Sequence, residues 1–244
     1  MVETKNIIKL ENVWKTYEMG EVEVHALRGF SLNVKEGEFL AIKGPSGSGK
    51  STAMNLIGCL DVPSKGKVFL EDQDISELRE SDLAQIRGRK IGFIFQQFNL
   101  INTLTALENV TLPMMFQGIS EDERNRRAKN LLEKVGLGER IHHRPNELSG
   151  GQQQRVAIAR SLAVNPDVVL ADEPTGNLDS KTGGTVMEFL KKLNKEEGKT
   201  IVMVTHDDKL AKEAQRIEYL KDGKLIKEYK KGVETDVSNP LIKK

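Results

Sequence analysis

At roughly 150 residues per domain, 244 residues predict one large domain or a domain carrying an inserted subdomain. The 37 Lys and Arg stand against 36 Asp and Glu, a net +1, which excludes the broad basic field that would hold a nucleic acid. One cysteine, Cys59, excludes an intrachain disulfide and a Cys-based zinc cluster and fits a reducing compartment. No run of about 18 apolar residues occurs, so no bilayer span is expected and a membrane role needs another chain. The opening MVETKNIIKL has no apolar core, so no leader peptide is expected.

Short alternating runs open the chain: Ile7 to Leu10, Val22 to Val24 and Phe30 to Val34. They read as antiparallel strands with one wet face. After a turn over 35–38, Phe39 to Ile42 is continuously apolar, as a buried parallel strand should be. Ala53, Leu56, Ile57 and Leu60 then recur at helical spacing, and Val68 to Leu70 and Ile91 to Phe95 read as further strands. From about Leu100 to Leu162 the period becomes helical, clearest over Glu121 to Val135, with a helix at Gln153 to Ala163. Apolar strands return at Val168 to Ala171 and Thr200 to Thr205, separated by a helix over Thr182 to Leu193. An Asp-Gly turn at 222–223 closes a last hairpin, Ile217 to Leu220 with Leu225 to Ile226. Strands and helices alternate at both ends, and a helical block at about 97–163 interrupts them. The pattern predicts a single α/β domain over 1–231 with a helical insertion, then a polar tail over 232–244.

Five stretches carry chemistry. Gly44-Pro45-Ser46-Gly47-Ser48-Gly49-Lys50-Ser51 matches G-x-x-x-x-G-K-[ST] between an apolar strand and a helical repeat, the context that motif needs. Glycines let consecutive N–H groups face one concavity, and the following helix adds its positive end. Lys50 reaches the outer phosphates, Ser51 offers a hydroxyl to Mg²⁺, and Thr52 meets an inner phosphate. Asp172 and Glu173 end the strand Val168 to Ala171, on the edge where α/β sheets bind ligands. Asp172 would hold Mg²⁺ through water, and Glu173 would orient or deprotonate the attacking water. His206 ends the next strand on the same edge and could meet both the outermost phosphate and Glu173. Gln96, preferred over the adjacent Gln97 because it directly ends an apolar strand, would touch Mg²⁺ and place a water. Ser149-Gly150-Gly151-Gln152 opens a helix, where Ser149 caps and the free N–H groups make a second anion cradle. One phosphate loop and one cradle in the same chain predict isologous pairing, each cradle closing over its partner's nucleotide.

These motifs together resemble ABC-type ATPases. The phosphate loop, Gln96, Leu148 to Gln152, Asp172-Glu173, Asn177-Leu178-Asp179 and His206 stand in that family's order and spacing, and the likeness spans about Ile7 to Glu228. It implies a P-loop NTPase (RecA-like) core, an N-terminal antiparallel β subdomain and an inserted α-helical subdomain carrying Leu148 to Gln152. It implies ATP and Mg²⁺ as ligands, and Tyr17 as the aromatic that stacks on adenine. Leu178 and Asp179 match the loop that communicates between subunits, so Asp179 joins Ser149 to Gln152 as a contribution from the partner chain. The resemblance further implies a homodimer in the ATP-bound state, driving integral-membrane permease subunits encoded separately. That places the protein in the cytoplasm, peripheral on the inner face of the membrane.

Ile57 to Asp61, Phe95 to Leu100 and Leu104 to Val110 resemble the lipoprotein-release and macrolide-export branch. Phe98, Leu100 and Ile101, just past Gln96, are the expected docking residues for a membrane partner, or else they pack the subdomain. A GTPase switch is disfavoured because Asn194-Lys195-Glu196-Glu197 lacks the final Asp of the guanine motif. DNA-repair and chromosome-structure relatives need long coiled-coil insertions that 244 residues cannot hold. A cell-division ATPase that signals through a membrane subunit remains the alternative.

Overall fold

The computed structural model describes residues 5–230 and 233–237. β1 (Asn6–Met19) and β2 (Val22–Lys35) form one long antiparallel hairpin, interrupted by register shifts. β3 (Phe39–Lys43) leads through the glycine loop into α1 (Lys50–Ile57). The spacing that extended this helix to Leu60 is cut short at Gly58 and at Cys59, whose φ is +54°. A side chain at position 58 would strike the Phe93 ring, so glycine is required there. Leu60 consequently lies beyond the helix and is 42% exposed.

β4 (Lys65–Leu70) and the short β5 (Gln73–Asp74) complete a four-stranded antiparallel sheet in the order β2-β1-β4-β5. α2 (Glu80–Lys90), which has almost no apolar stripe and was not legible from periodicity, leads to β6 (Ile91–Ile94). The helical block contains α3 (Ala106–Phe116), α4 (Glu121–Lys134), two single 3₁₀ turns and α5 (Gly150–Ser161). α3 opens on a reciprocal cap between Thr105 and Glu108. β7 (Val168–Asp172), α6 (Ser180–Glu197), β8 (Thr200–Thr205) and the single-turn α7 (Asp208–Ala211) follow. β9 (Arg216–Lys221) and β10 (Lys224–Lys230) form the expected hairpin.

The polar tail requires a correction at its start. Residues 233–236 form β11 (Val233–Asp236), paired antiparallel with Lys227 to Lys230 of β10. All four residues are exposed, so no hydrophobic pattern announces the strand; backbone pairing and the Lys227–Glu234 ion pair hold it. The expectations for residues 1–4, 231–232 and 238–244 lie outside the described residues.

The second sheet has the order β11-β10-β9-β3-β8-β7-β6, and β9, β3, β8, β7 and β6 run parallel. Its central strands are buried on both faces. Leu40, Ile42, Val202 and Val204 pack with the hairpin, α1 and α2, while Phe39, Ala41, Ile201 and Met203 pack with the helical block and α6. That is why the strands read as unbroken apolar runs rather than alternating ones.

Arg216 joins the two sheets. It is 8% exposed, and its guanidinium donates to the Asn33 carbonyl of β2 at 2.5 Å, to Glu38 at 2.7 and 3.2 Å, to Glu228 at 3.4 Å, and to Glu218. Burial alone would lower its pKa, but the Glu38 hydrogen bond and the charges of Glu218, Glu38 and Glu228 reverse that and raise it. Removing one member of such a set leaves buried charge uncompensated. Arg216→Ala is therefore expected to lose about 3–5 kcal/mol of stability, read as a lower denaturant midpoint at unchanged slope.

Candidate functional site

Parallel strands deliver their C-terminal ends to one edge. Lys43 pairs with Thr205, and Asp172 pairs with Val204, so the loops after β3, β7 and β8 leave the sheet side by side. The glycine loop, Asp172-Glu173 and His206 follow these three strands.

The loop over 44–49 is shaped for close approach of backbone. A side chain at Gly44 would collide with the Leu220 carbonyl, and one at Gly49, whose φ is +100°, would collide with the Ala26 carbonyl. Pro45, Ser46 and Gly47 are exposed at its rim. Ser48 is 2% exposed, and its Oγ has no hydrogen-bond partner among the described residues. A cavity of about 670 Å³ is lined by Ser46, Gly47, Gly49, Lys50, Ser51 and Thr52, together with His25 and Arg28.

Lys50 folds back over the loop and donates to the carbonyls of Gly44 at 2.9 Å and Pro45 at 2.8 Å. Burial lowers its pKa, and the charges of Glu173 and Asp172 pull it back upward. The same coupling acts on Asp172. Burial raises its pKa first and Glu173 second, while Lys50 lowers it. One lysine thus faces two carboxylates across the site.

Glu173 sits at φ +45°, uncommon for a residue with a side chain. Its N–H donates to the Val204 carbonyl at 2.9 Å. Its carboxylate accepts from Thr205 Oγ1 at 3.1 Å and from the His206 N–H at 2.9 Å, and meets His206 Nδ1 at 2.6 Å. The structure therefore brings Glu173 and His206 together. Thr205 was missed because it ends a wholly buried strand and reads as part of it; its position immediately before His206 was the available signal.

Gln96 is exposed after β6. Its side chain lies against Gly176, and its carbonyl accepts from Asn177 at 2.9 Å. It therefore borders the loop that leaves Glu173. Ser149 caps α5 reciprocally with Gln152: Gln152 N–H donates to Ser149 Oγ at 3.3 Å, and Ser149 N–H donates to Gln152 Oε1 at 2.8 Å. Positions 150 and 151 abut Phe98, Leu178 and Thr182. Asp179 caps α6, accepting from Lys181 N–H and Thr182 N–H at 3.0 Å each and from the Thr182 hydroxyl at 2.6 Å. These bonds, that of the Thr182 hydroxyl first, lower its pKa.

Gln154 also escaped the sequence reading. It is fully buried and donates to the carbonyl of Pro174 at 2.5 Å, just past Glu173, and to that of Phe95 at 3.5 Å. Tyr17 lies on β1, and its hydroxyl donates to Asp61 at 2.9 Å.

A family model described as ABC transporter matches residues 27–176, from β2 through the loop after Glu173. The chain belongs to the ABC transporter ATP-binding family. An uncharacterized ABC transporter ATP-binding protein of Thermotoga maritima is 56% identical over 229 residues, covering 94% of this chain and 97% of that one. The macrolide export ATP-binding/permease protein MacB of Aggregatibacter actinomycetemcomitans is 49% identical over 238 residues. That match covers 97% of this chain but 37% of MacB. The ATP-binding cassette MJ0796 of Methanocaldococcus jannaschii, in a dimeric post-hydrolysis structure bound to ADP and Pi, superposes with a TM-score of 0.85. Its identity is 56%, covering 91% of this chain and 98% of the other.

As an ABC ATPase, the chain binds ATP and hydrolyses it. The buried, unpartnered Ser48 hydroxyl and the glycine-shaped cradle suit a phosphate chain. Lys50 is held by two neutral carbonyls that phosphate oxygens would replace as stronger acceptors. Lys50→Ala should keep the fold, by circular dichroism, and weaken nucleotide binding roughly 10- to 100-fold in a fluorescent-nucleotide titration.

Proposed function

We propose that two copies of this chain close head to tail over two ATP molecules and that closure drives separately encoded integral-membrane permease subunits. The pathway we favour is export of the lipoprotein-release or macrolide type. The observation that carries the reading is the split site. The phosphate loop and Glu173 converge on one sheet edge, while the cradle at Ser149 to Gln152 packs against α6 in the helical block. The dimeric description of MJ0796, with ADP and Pi, supports pairing, and MacB's name joins an ATP-binding part to a permease.

In this reading Gly44 to Thr52 wrap the phosphates of one nucleotide, and Tyr17 stacks on its adenine. The partner's cradle and its copy of Asp179 complete the site. The hard oxygen donors at Ser51 and Asp172, with the amide oxygen of Gln96, are the chemistry Mg²⁺ prefers. Mg²⁺ would neutralise charge between the outer phosphates. Glu173 accepts a proton from the attacking water, and His206 holds the carboxylate in place. Lys50 and the loop N–H groups stabilise charge on the transferred phosphoryl.

No helix among the described residues is long and apolar enough to cross a membrane. A partner must therefore be gripped from outside the bilayer. Of the expected docking residues, Phe98 lies against Gly150 and Leu100 packs on the core, whereas Ile101 is 42% exposed. Met115 and Phe116, at the end of α3, are 48% and 76% exposed and extend the apolar surface available to a permease. A cleft of about 400 Å³ lined by Leu60, Phe95, Asn99, Pro113 and Val164 lies between the core and the helical block. A protruding permease segment fits that cleft, which also supports placement on the inner face of the cell membrane.

Glu173→Gln tests the catalytic and dimer readings together. It should bind ATP, lose about 10²- to 10⁴-fold in turnover, and accumulate as an ATP-dependent dimer in light scattering. Wild-type turnover in this variant would remove Glu173 from the role given to it.

A further inference from the structure

Asp61 lies past the end of α1, outside every motif that carries the chemistry. Its carboxylate nonetheless gathers three donors. Oδ2 accepts from the Tyr17 hydroxyl at 2.9 Å. Oδ1 accepts from Lys15 Nζ at 2.5 Å and from the Val62 N–H at 2.8 Å. Lys15 Nζ donates also to the Val62 carbonyl at 2.9 Å and lies 5.0 Å from the centre of the Tyr17 ring. The side chains of Lys15 and Asp61 are 12% and 24% exposed, so solvent screens this pair only in part. Burial first, and the Asp61 bond second, raise the pKa of Tyr17 and keep its hydroxyl a donor.

The ring is thereby fixed at its far end by Asp61 and approached by an ammonium group. A tyrosine on a hairpin with a bulged register would otherwise be free about two side-chain torsions. Ordering such a ring on binding weakens the interaction it makes, and ordering it beforehand removes that loss. We infer that Asp61 is a positioning residue for base recognition, holding the Tyr17 ring in the plane on which the nucleobase stacks. Its contribution is confined to the base end of the nucleotide. In the proposed reading the phosphate end is handled by Gly44 to Thr52, and Asp61's hydrogen bonds and ion pair among the described residues go to Lys15, Tyr17 and Val62 instead.

This inference rests on Tyr17 being the stacking residue, and the experiment separates the two. The probes are ADP and inorganic pyrophosphate, which share the phosphate cradle and differ in the base, and neither is hydrolysed by the site. Dissociation constants for both are measured by calorimetry on the wild-type chain and on Asp61→Ala, Tyr17→Phe and Tyr17→Ala. Asp61→Ala and Tyr17→Phe should each weaken ADP roughly 3- to 10-fold and leave pyrophosphate unchanged. Their combination should do no more than the stronger single change, because both cut one tether. Tyr17→Phe removes only the hydroxyl and leaves the Lys15 pair intact, so it reads the tether even if Asp61→Ala folds poorly. Weakening of ADP by Tyr17→Ala with none from Tyr17→Phe or Asp61→Ala overturns the positioning role alone. A parallel loss of ADP and pyrophosphate in Asp61→Ala also overturns it, as a merely structural effect. Unchanged ADP binding in Tyr17→Ala overturns the stacking role beneath it.

Discussion

Everything at the nucleotide edge depends on the parallel register of three buried strands. β3 pairs with β8 and β8 with β7, with no register shift in either pair. A slip of one residue in any of them would exchange the side chains packed in the two cores and separate the loops that follow. Burial on both faces is what forbids the slip. Leu40, Ile42, Val202 and Val204 are held by one core and Phe39, Ala41, Ile201 and Met203 by the other. The catalytic geometry is thus a by-product of packing some residues away from it. This also explains why Glu173 tolerates a φ of +45°: its N–H is pinned to Val204 of the neighbouring strand and its carboxylate to Thr205 and His206.

The site's charges are arranged around the same edge. Asp172 and Glu173 are adjacent carboxylates, and burial first, then the charge of Glu173, raise the pKa of Asp172. Lys50 relieves that repulsion, and the two carboxylates in turn offset the burial that lowers the lysine's pKa. Bringing a phosphate chain into such a site adds negative charge, which requires further cations. The N–H groups of the loop supply positive ends of dipoles without adding side chains, and in the proposed reading a divalent cation would add positive charge. The near balance of 37 basic and 36 acidic residues therefore conceals a strongly polarised local field.

Legibility in the sequence followed the physics of each element. Strands buried on two faces are long apolar runs, so Phe39 to Ile42, Val168 to Ala171 and Thr200 to Thr205 could be read directly. The phosphate loop was legible because its glycines answer to backbone collisions with Leu220 and Ala26 that no other residue type survives. α2 was hidden because a helix lying on the surface with one buried residue, Leu83, carries little pattern. β11 was hidden because an exposed edge strand is held by backbone bonds, to which side chains are nearly indifferent. Thr205, Gln154 and Asp61 were hidden for a common reason. Each acts on a residue far away in the chain, across 32, 20 and 44 positions, and local spacing cannot record a contact of that kind.

Gln154 shows what such a contact does to the machine as a whole. α5 begins at the Ser149 cradle, and one turn later Gln154 bonds the carbonyls of Pro174 and Phe95. At its last turn Arg160 donates to the carbonyls of Phe98 and Asn99, beside the cleft over Leu60 and Pro113. Cradle, catalytic loop and cleft are therefore attached to one helix of twelve residues. A helix of that length is a stiff rod, so α5 offers a direct mechanical link between the cleft, the cradle and the loop beyond Glu173. The buried Gln154 amide makes that linkage costly to break, because a donor torn from both carbonyls would be left without water. In the proposed reading, coupling between hydrolysis and a membrane partner needs no long pathway: the two ends of α5 already span it.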